Sequence, residues 1–512
     1  MCDRMWNYRI TTFLTGAAVM IAEIGAARAL APYFGTSIVV WTNIIGSILV
    51  ALSVGYWIGG RWAERCPDRR CLGGIIMSAG ALLLLPGFAT PLIARGMIGD
   101  TPWLGSGFTA LLFGSLLVIV LLFVVPIALL GMVSPFVLKL AARERSDIGA
   151  IAGQLYAIST IGSLVGTFLP TLVLLPTLGT RRTVLAAATL LLVLGAAQFV
   201  RRRVSVVAVG VVGLLLIALP EHPPAWWGGG TVIAAVDSPY QFIRVVDHPR
   251  IAYGSPGRAL VFNEGLSTQS LAVRSGDALQ GYFAVAAALP GAFAEQPVSV
   301  LILGNAGGTV GAAMQQWFPK GAVEITGVEI DPAVTALARA TFAHFPEYPI
   351  AHTDSRVFLE RNQRQYDLIL VDAYTNQLTI PSHLVTREFF QLLQRRLTPR
   401  GFIAMNINAP RADSPLLQIL LATVADVFPR VTVGHAGTAW NYLVTGSDAP
   451  IAWERLPTVA MPEPSRASVH AYLAQQAVVH RNDVARKLTD DWAPIELMTD
   501  AEVFTALRMH RE

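Results

Sequence analysis

Charge is what this 512-residue sequence has least of. Only 14% of its residues are Asp, Glu, Lys or Arg, against about 25% in ordinary soluble domains. With a mean hydropathy of +0.52, that excludes a wholly soluble globular chain. Cysteine is nearly missing too: Cys2, Cys66 and Cys71 are too few for a disulfide framework. Cys66 and Cys71 sit in "ERCPDRRC", whose spacing and want of a nearby histidine do not suit zinc. They read as two thiols in a basic loop, and no metal is expected. A basic stripe with interleaved aromatics is lacking as well, which argues against nucleic acid as a partner. The N-terminus "MCDRMWNYRITTF" has no small-residue cleavage pattern, so the first apolar stretch is expected to remain as a span.

What the sequence has is length for two or more domains and an uneven distribution of charge. Residues 1–220 hold 16 Lys/Arg and 7 Asp/Glu, whereas 221–512 hold 22 and 27. A multi-pass membrane domain is therefore expected over 1–220. A bilayer core of about 30 Å takes about 20 apolar residues in helix, and seven candidates stand near 10–32, 38–59, 73–94, 107–131, 150–175, 183–200 and 204–220. Backbone amides in lipid must be satisfied internally, so each should be helical. Small residues recur along them, as in "GAIAGQLYAISTIGSLVG", which suits close helix contact.

Basic clusters mark cytoplasmic loops: Arg61, Arg65, Arg69 and Arg70, then Lys139, Arg143 and Arg145, then Arg201, Arg202 and Arg203. They follow the second, fourth and sixth spans and put the N-terminus inside. Seven full spans would then carry the C-terminal domain outside. Either 204–220 does not fully cross, a span is miscounted, or the domain is outside; a cytoplasmic domain at the cell (inner) membrane is expected. Glu23 and Arg28 fall within the first span, where charges usually face a cavity or another helix. They read either as a cation or polyamine path or as a structural contact.

Beyond a Pro/Gly linker at 221–230, "PEHPPAWWGGG" with Pro220, come short β-like runs ("TVIAAV", "QFIRVVD", "ALVFNE"). These predict a small β subdomain over 231–290. From Val298, strands and helices alternate, the mark of a parallel sheet with crossover helices. The fold class is thus a helical membrane bundle followed by an α/β Rossmann-like domain over 291–450, which the resemblance given below implies is methyltransferase-type, with an extension at 451–512. In "VLILGNAGGTVG" a strand runs into a Gly-rich turn and a helix, offering backbone N–H groups to a ligand. Glu329, about 20 residues on at the next strand end, is placed to accept both hydroxyls of a ribose. Asp354 in "HTDSRVF" is placed either to contact an adenine amino group or to cap the next helix, and one side chain can do both.

From about Ser238 to Ser447 the chain resembles the spermidine synthases, the polyamine aminopropyltransferases. It is most similar to a branch in which such a domain follows a transporter-like bundle. The resemblance rests on "SPYQ" at 238–241, "VLILGNAGG", "GVEIDPAV", "YDLILVDAYT", "LVTREFF" and "WNYLVTGS", in that order. In the first half, "AEIGAARALAPYFGTS" also looks like that branch, and "GGRWAERCPDRR" resembles a cytoplasmic loop of major-facilitator transporters. The resemblance implies that Asp372 is the catalytic base. Gln241, Gly304, Gly308, Glu329 and Asp354 would bind the adenosyl donor, and Tyr240 and Thr375 would lie on the acceptor side. The chain departs from the family where an aspartate becomes Gly307, a second acidic residue becomes Thr375, and a Tyr-His pair becomes Tyr282-Phe283. Asp490, Asp491 and Glu496 in "LTDDWAPIEL", or His383, could replace the missing groups.

The function this implies is aminopropyl transfer from decarboxylated S-adenosylmethionine to putrescine or a related amine. Methyl transfer from S-adenosylmethionine is one alternative; a transporter or sensor with a nucleoside-binding domain is the other. The expected partners are the two small molecules and the lipid bilayer, with a homo-oligomer left open.

Overall fold

The computed structural model describes residues 2–35, 37–98, 108–143, 147–199, 203–219, 229–263, 265, 267–272, 278–343, 345–375, 379–437, 440–482, 485–499 and 501–502. Arg145, Arg201, Arg202 and 221–228 of the expected linker lie outside them. The chain forms two compact units, one of Met1–Pro224 with Asp237–Phe242 and one of Ala225–Val236 with Ile243–Glu512.

The first unit is helical: α1 (Cys2–Phe34), α2 (Ile38–Arg65), α3 (Arg69–Ile98), α4 (Phe108–Ile119), α5 (Val125–Ala142), α6 (Ile148–Leu169), α7 (Leu175–Leu178), α8 (Thr180–Phe199) and α9 (Arg203–Ala218). Wider π turns at Val120–Val124 and Pro170–Leu174 join α4 to α5 and α6 to α7. Glycines set the closest packing. A Cβ on Gly166 of α6 would stand 2.6 Å from Ala17 Cα of α1, and one on Gly59 of α2 would stand 2.5 Å from Met132 Cα of α5. Any larger residue would push these helix pairs apart.

Three expectations change here. Among the described residues, six helices rather than seven are long and apolar enough to span a bilayer, the last being Thr180–Gln198. The expected seventh, α9, has 16 residues; at 1.5 Å per residue it falls short of a 30 Å core. The fourth apolar stretch runs from Leu112 to Ala142 instead of stopping near 131, because the π turn continues the helix through Pro126. Cys66 and Cys71 are joined in a disulfide instead of standing as free thiols; Pro67 and Asp68 turn the chain so that the two sulfurs meet. Arg28 donates to the Pro239 carbonyl and lies 3.9 Å from Asp237, so it has structural partners within this unit.

The second unit holds two sheets. The smaller orders β1 (Thr231–Asp237), β2 (Phe242–Ala252), β3 (Ser255–Phe262) and β4 (Thr268–Leu271) in sequence. The larger uses β5 (Val298–Leu303), β6 (Val323–Val328), β7 (Ile350–Ala351), β8 (Tyr366–Val371), β9 (Leu397–Asn408), β10 (Arg430–His435), β11 (Asn441–Ser447) and β12 (Ala477–Val479), in the order β12-β10-β11-β9-β8-β5-β6-β7. Strands β5 to β9 pair in parallel, while β9, β11, β10 and β12 pair antiparallel. The helices are α10 (Gly281–Ala288), α11 (Thr309–Trp317), α12 (Pro332–Thr341), α13 (Ser355–Arg361), α14 (Arg387–Arg395), α15 (Pro415–Val427) and α16 (Glu463–Ala474). Strand β8, "YDLILV", is buried at every position, as a central parallel strand covered on both faces must be. The chain leaves β5 toward β6 and β7 on one side and returns to β8 and β9 on the other. The β5–β8 boundary is therefore a topological switch point, where ligands of such sheets bind beyond the carboxyl ends.

Candidate active site

Strand register brings the three main candidates to one edge. Leu303 pairs with both Val328 and Val371, so Gly304, Glu329 and Asp372 each follow a paired strand end. Gly304 has φ +90°, a conformation that favours glycine, and its backbone lies against Asp372, whose N–H donates to Leu303 O at 2.8 Å. Gly308, at φ +79°, caps the N-terminus of α11. Between them the loop is tied down: Ala306 N donates to Glu329 Oε2 at 2.8 Å and Gly307 N donates to Ser270 Oγ at 2.8 Å. Thr309 Oγ1, in turn, donates to Leu271 O at 2.8 Å. A recess beside the loop is lined by Gln269, Ser270, Phe283, Gly304, Thr309 and Asp372, among others.

Asp372 accepts from Tyr282 Oη at 2.7 Å and from Asn406 Nδ2 at 2.9 Å. Burial pushes its carboxyl up to about 6, with those two hydrogen bonds pulling the other way. A carboxylate of that basicity is suited to taking a proton near neutral pH. Burial also raises Glu329 to about 7, opposed by backbone N–H groups including those of Asp331 and Ala306. Asp354 caps α13 through the N–H groups of Arg356 and Val357, and its Oδ2 lies 2.8 Å from His383 Nε2. Burial pushes Asp354 up, but His383 and the two amides outweigh it and hold the group below its usual value.

The remaining residues fall elsewhere. Asp490 takes a two-point bond from Arg356, at 2.7 and 2.6 Å, and a third from Thr386 at 2.7 Å. It is engaged beside the Asp354–His383 pair, while Asp491 and Glu496 are exposed. Thr375 is exposed and donates to Thr379 O through both its amide and its hydroxyl. Tyr240 and Gln241 belong to the segment grouped with the helical unit, in a turn held by the Ser238 hydroxyl. At Gly307 a Cβ would stand 2.8 Å from both Ser270 Cβ and Phe342 Cε2. The place that a side chain here would take is already occupied.

The sequence did not single out Asn406, Asn441 or Ser270. Asn406 stands in "AMNINA" on an alternating strand, with nothing local to separate it from an ordinary strand residue. Tyr282 was noted only as half of a changed pair, and its bond to Asp372 spans 90 positions of sequence. Among the described residues, no group of three or more His, Cys, Asp or Glu could hold a metal ion.

Residues 280–439 match the spermine/spermidine synthase domain. The chain is 36% identical over 148 residues to a probable polyamine aminopropyl transferase of Bifidobacterium longum, covering 29% of this chain and 32% of that protein. It is 36% identical over 119 residues to a polyamine aminopropyltransferase of Vibrio vulnificus, covering 22% and 39%. It therefore spans only about a third of the length of these two relatives. The similarity to polyamine aminopropyltransferase 1 of Streptomyces coelicolor is lower, 26%, but extends over 431 residues, 78% of this chain and 75% of that one. An alignment of that length takes in part of the helical half as well. Residues 280–439 are thus identified as a spermine/spermidine synthase domain.

Proposed function

We propose that this chain is a membrane-bound aminopropyltransferase that moves an aminopropyl group from decarboxylated S-adenosylmethionine to putrescine or a related amine. The observation that carries the reading is Asp372. It is half-buried at the switch point against the glycine loop, with its carboxyl raised to about 6. The acceptor amine reaches the site as an ammonium ion and loses a proton to Asp372. Its lone pair then attacks the carbon beside the sulfonium. A C–N bond forms, the C–S bond breaks, and sulfur keeps the pair as the neutral thioether of 5′-methylthioadenosine. Glu329 would hold the nucleoside against the glycine loop, so that alignment supplies much of the rate. Asp354 would meet the adenine amino group on the oxygen it shares with His383.

Methyl transfer from S-adenosylmethionine is the second reading, favoured by one observation. Ser270 and Phe342 crowd Gly307, so no carboxylate stands there to hold the donor's ammonium group. Purified protein given each donor with a panel of amines, and products read by mass spectrometry, separates the two. Release of methylthioadenosine marks one reaction and of adenosylhomocysteine the other.

The six long apolar helices support a multi-pass membrane location. Were all six to cross, the basic loops after the second, fourth and sixth and the catalytic domain would share one side, which supports a cytoplasmic domain.

A further inference from the structure

Asp372 is held by an amide whose orientation is itself fixed. Asn406, 5% exposed on β9, donates from Nδ2 to Asp372 Oδ1 at 2.9 Å. Its Oδ1 accepts from Asn441 Nδ2 at 3.1 Å. The same Asn441 nitrogen donates to Asn408 Oδ1 at 3.0 Å. Asn406 and Asn408 are two apart on β9, and Asn441 lies across from them at the start of β11, so one nitrogen reaches both side-chain oxygens. A second anchor holds Asn406 from the other side: Tyr374 Oη donates to its backbone carbonyl at 2.9 Å. The amide of Asn406 has two faces that differ in sign. Turned over, it would set its oxygen against the carboxylate of Asp372 and its NH2 against the NH2 of Asn441, losing two hydrogen bonds and opposing like charges.

We propose that Asn441 and Asn406 form a positioning relay that keeps an N–H on Asp372 and so holds the carboxylate ionised and aimed at the acceptor. The proposal rests on Asp372 being the base. The groups facing Asp372 are the Tyr282 hydroxyl from α10, the Asn406 amide from β9 and, on its own segment, Tyr374. The two tyrosines stay neutral well past the working range, because burial raises both. The relay therefore adds no titration of its own. It moves that of Asp372 downward, against the burial that raises it.

The test is the pH dependence of kcat/KM in the full chain, which reports the free enzyme's base. Asn406→Leu removes the donor, and the acid limb should move up by about one to two pH units, since a hydrogen bond to a charged group is worth that much. Asn441→Leu leaves the donor but frees its orientation, and should move the limb the same way by less. The double variant should shift no further than Asn406→Leu alone, because the two act through one contact. If Asn406→Leu does not fold, Asn441→Leu carries the test alone, with donor binding and melting temperature as the folding checks. An acid limb that stays in place while kcat falls equally at every pH overturns the relay, as do additive shifts in the double variant. Failure of the base assignment itself is distinguishable: Asp372→Asn would then turn over at the wild-type rate.

Discussion

Gly304 and Asp372 end neighbouring strands and meet backbone to backbone: a Cβ on Gly304 would stand 2.6 Å from the Asp372 carbonyl carbon and 2.7 Å from Ala373 Cα. The glycine loop of the proposed nucleoside site and the carboxylate proposed as base are therefore set by one contact. Gly304→Ala should disturb both at once. Its φ of +90° alone costs a larger residue about 1–3 kcal/mol, and the overlap adds to that. The expected outcome is a lower melting temperature together with weaker binding of 5′-methylthioadenosine. A variant that keeps both would show that the close approach is not needed.

Glu329 gives the site a pH dependence in binding. Its carboxyl is raised to about 7 by burial, and ribose hydroxyls donate to the ionised form. Affinity for 5′-methylthioadenosine should be full above pH 7 and fall roughly tenfold for each unit below it. Glu329→Ala should weaken binding at pH 8 by more than about tenfold, since bonds to a charged group are worth about 1.5–3 kcal/mol each, and should flatten the dependence. Titration calorimetry reads both; unchanged affinity in a folded variant removes Glu329 from the ribose site.

Asp367 tests the scaffold below the site. It accepts from Ser299 N and Oγ, from Thr398 Oγ1 and from Arg400, at 2.8–3.2 Å. Burial pushes it up, but Arg400, Ser299 and Thr398 outweigh this and bring it to about 2. A carboxyl lowered on folding stabilises above its ordinary pKa, and that stabilisation is lost as pH falls through the folded value. Asp367 should thus contribute about 2 kcal/mol at neutral pH. Asp367→Asn should lower the melting temperature at pH 7, followed by tryptophan fluorescence, with the difference narrowing between pH 4 and pH 2. An equal difference across that range would show that the ionised form is not what matters.

Periodicity and turn chemistry made much of this fold legible. Strands such as "VSVLIL" and "YDLILV" are mostly apolar because both faces are covered, and Gly304 and Gly308 of "GNAGG" stand where φ is positive. Gly304, Glu329 and Asp372 could be placed together because a parallel sheet brings its strand ends to one edge. The helix count was less legible, since α9 is as apolar as its neighbours and differs only in length. The fixing of Asp372 by Tyr282 and Asn406 was not legible at all. It depends on how α10 and β9 pack around β8, and no local pattern records that. Asp490 shows the same limit: its charge could be read, but its pairing with Arg356, 134 positions away, could not.

Topology is open to direct labelling. With the catalytic domain cytoplasmic, a cysteine at exposed Gln391 should resist an impermeant thiol reagent in intact cells and react after permeabilisation. The loop holding Cys66 and Cys71 should lie on the same side, where a reducing cytoplasm opens a disulfide. Strong labelling of the Gln391→Cys protein in intact cells would place the domain outside.

The central claim is that Asp372 takes the proton of an amine attacking an adenosyl donor. The direct measurement compares wild type with Asp372→Asn, each supplied with decarboxylated S-adenosylmethionine and putrescine, with products read by mass spectrometry. The substitution keeps the shape but loses basicity and charge, and general-base contributions are about 10²–10⁴-fold. Turnover should fall by that factor while binding of methylthioadenosine nearly persists. The variant should recover in part at high pH, where more of the amine is already neutral. An Asp372→Asn enzyme that forms the aminopropyl product at the wild-type rate would contradict the account.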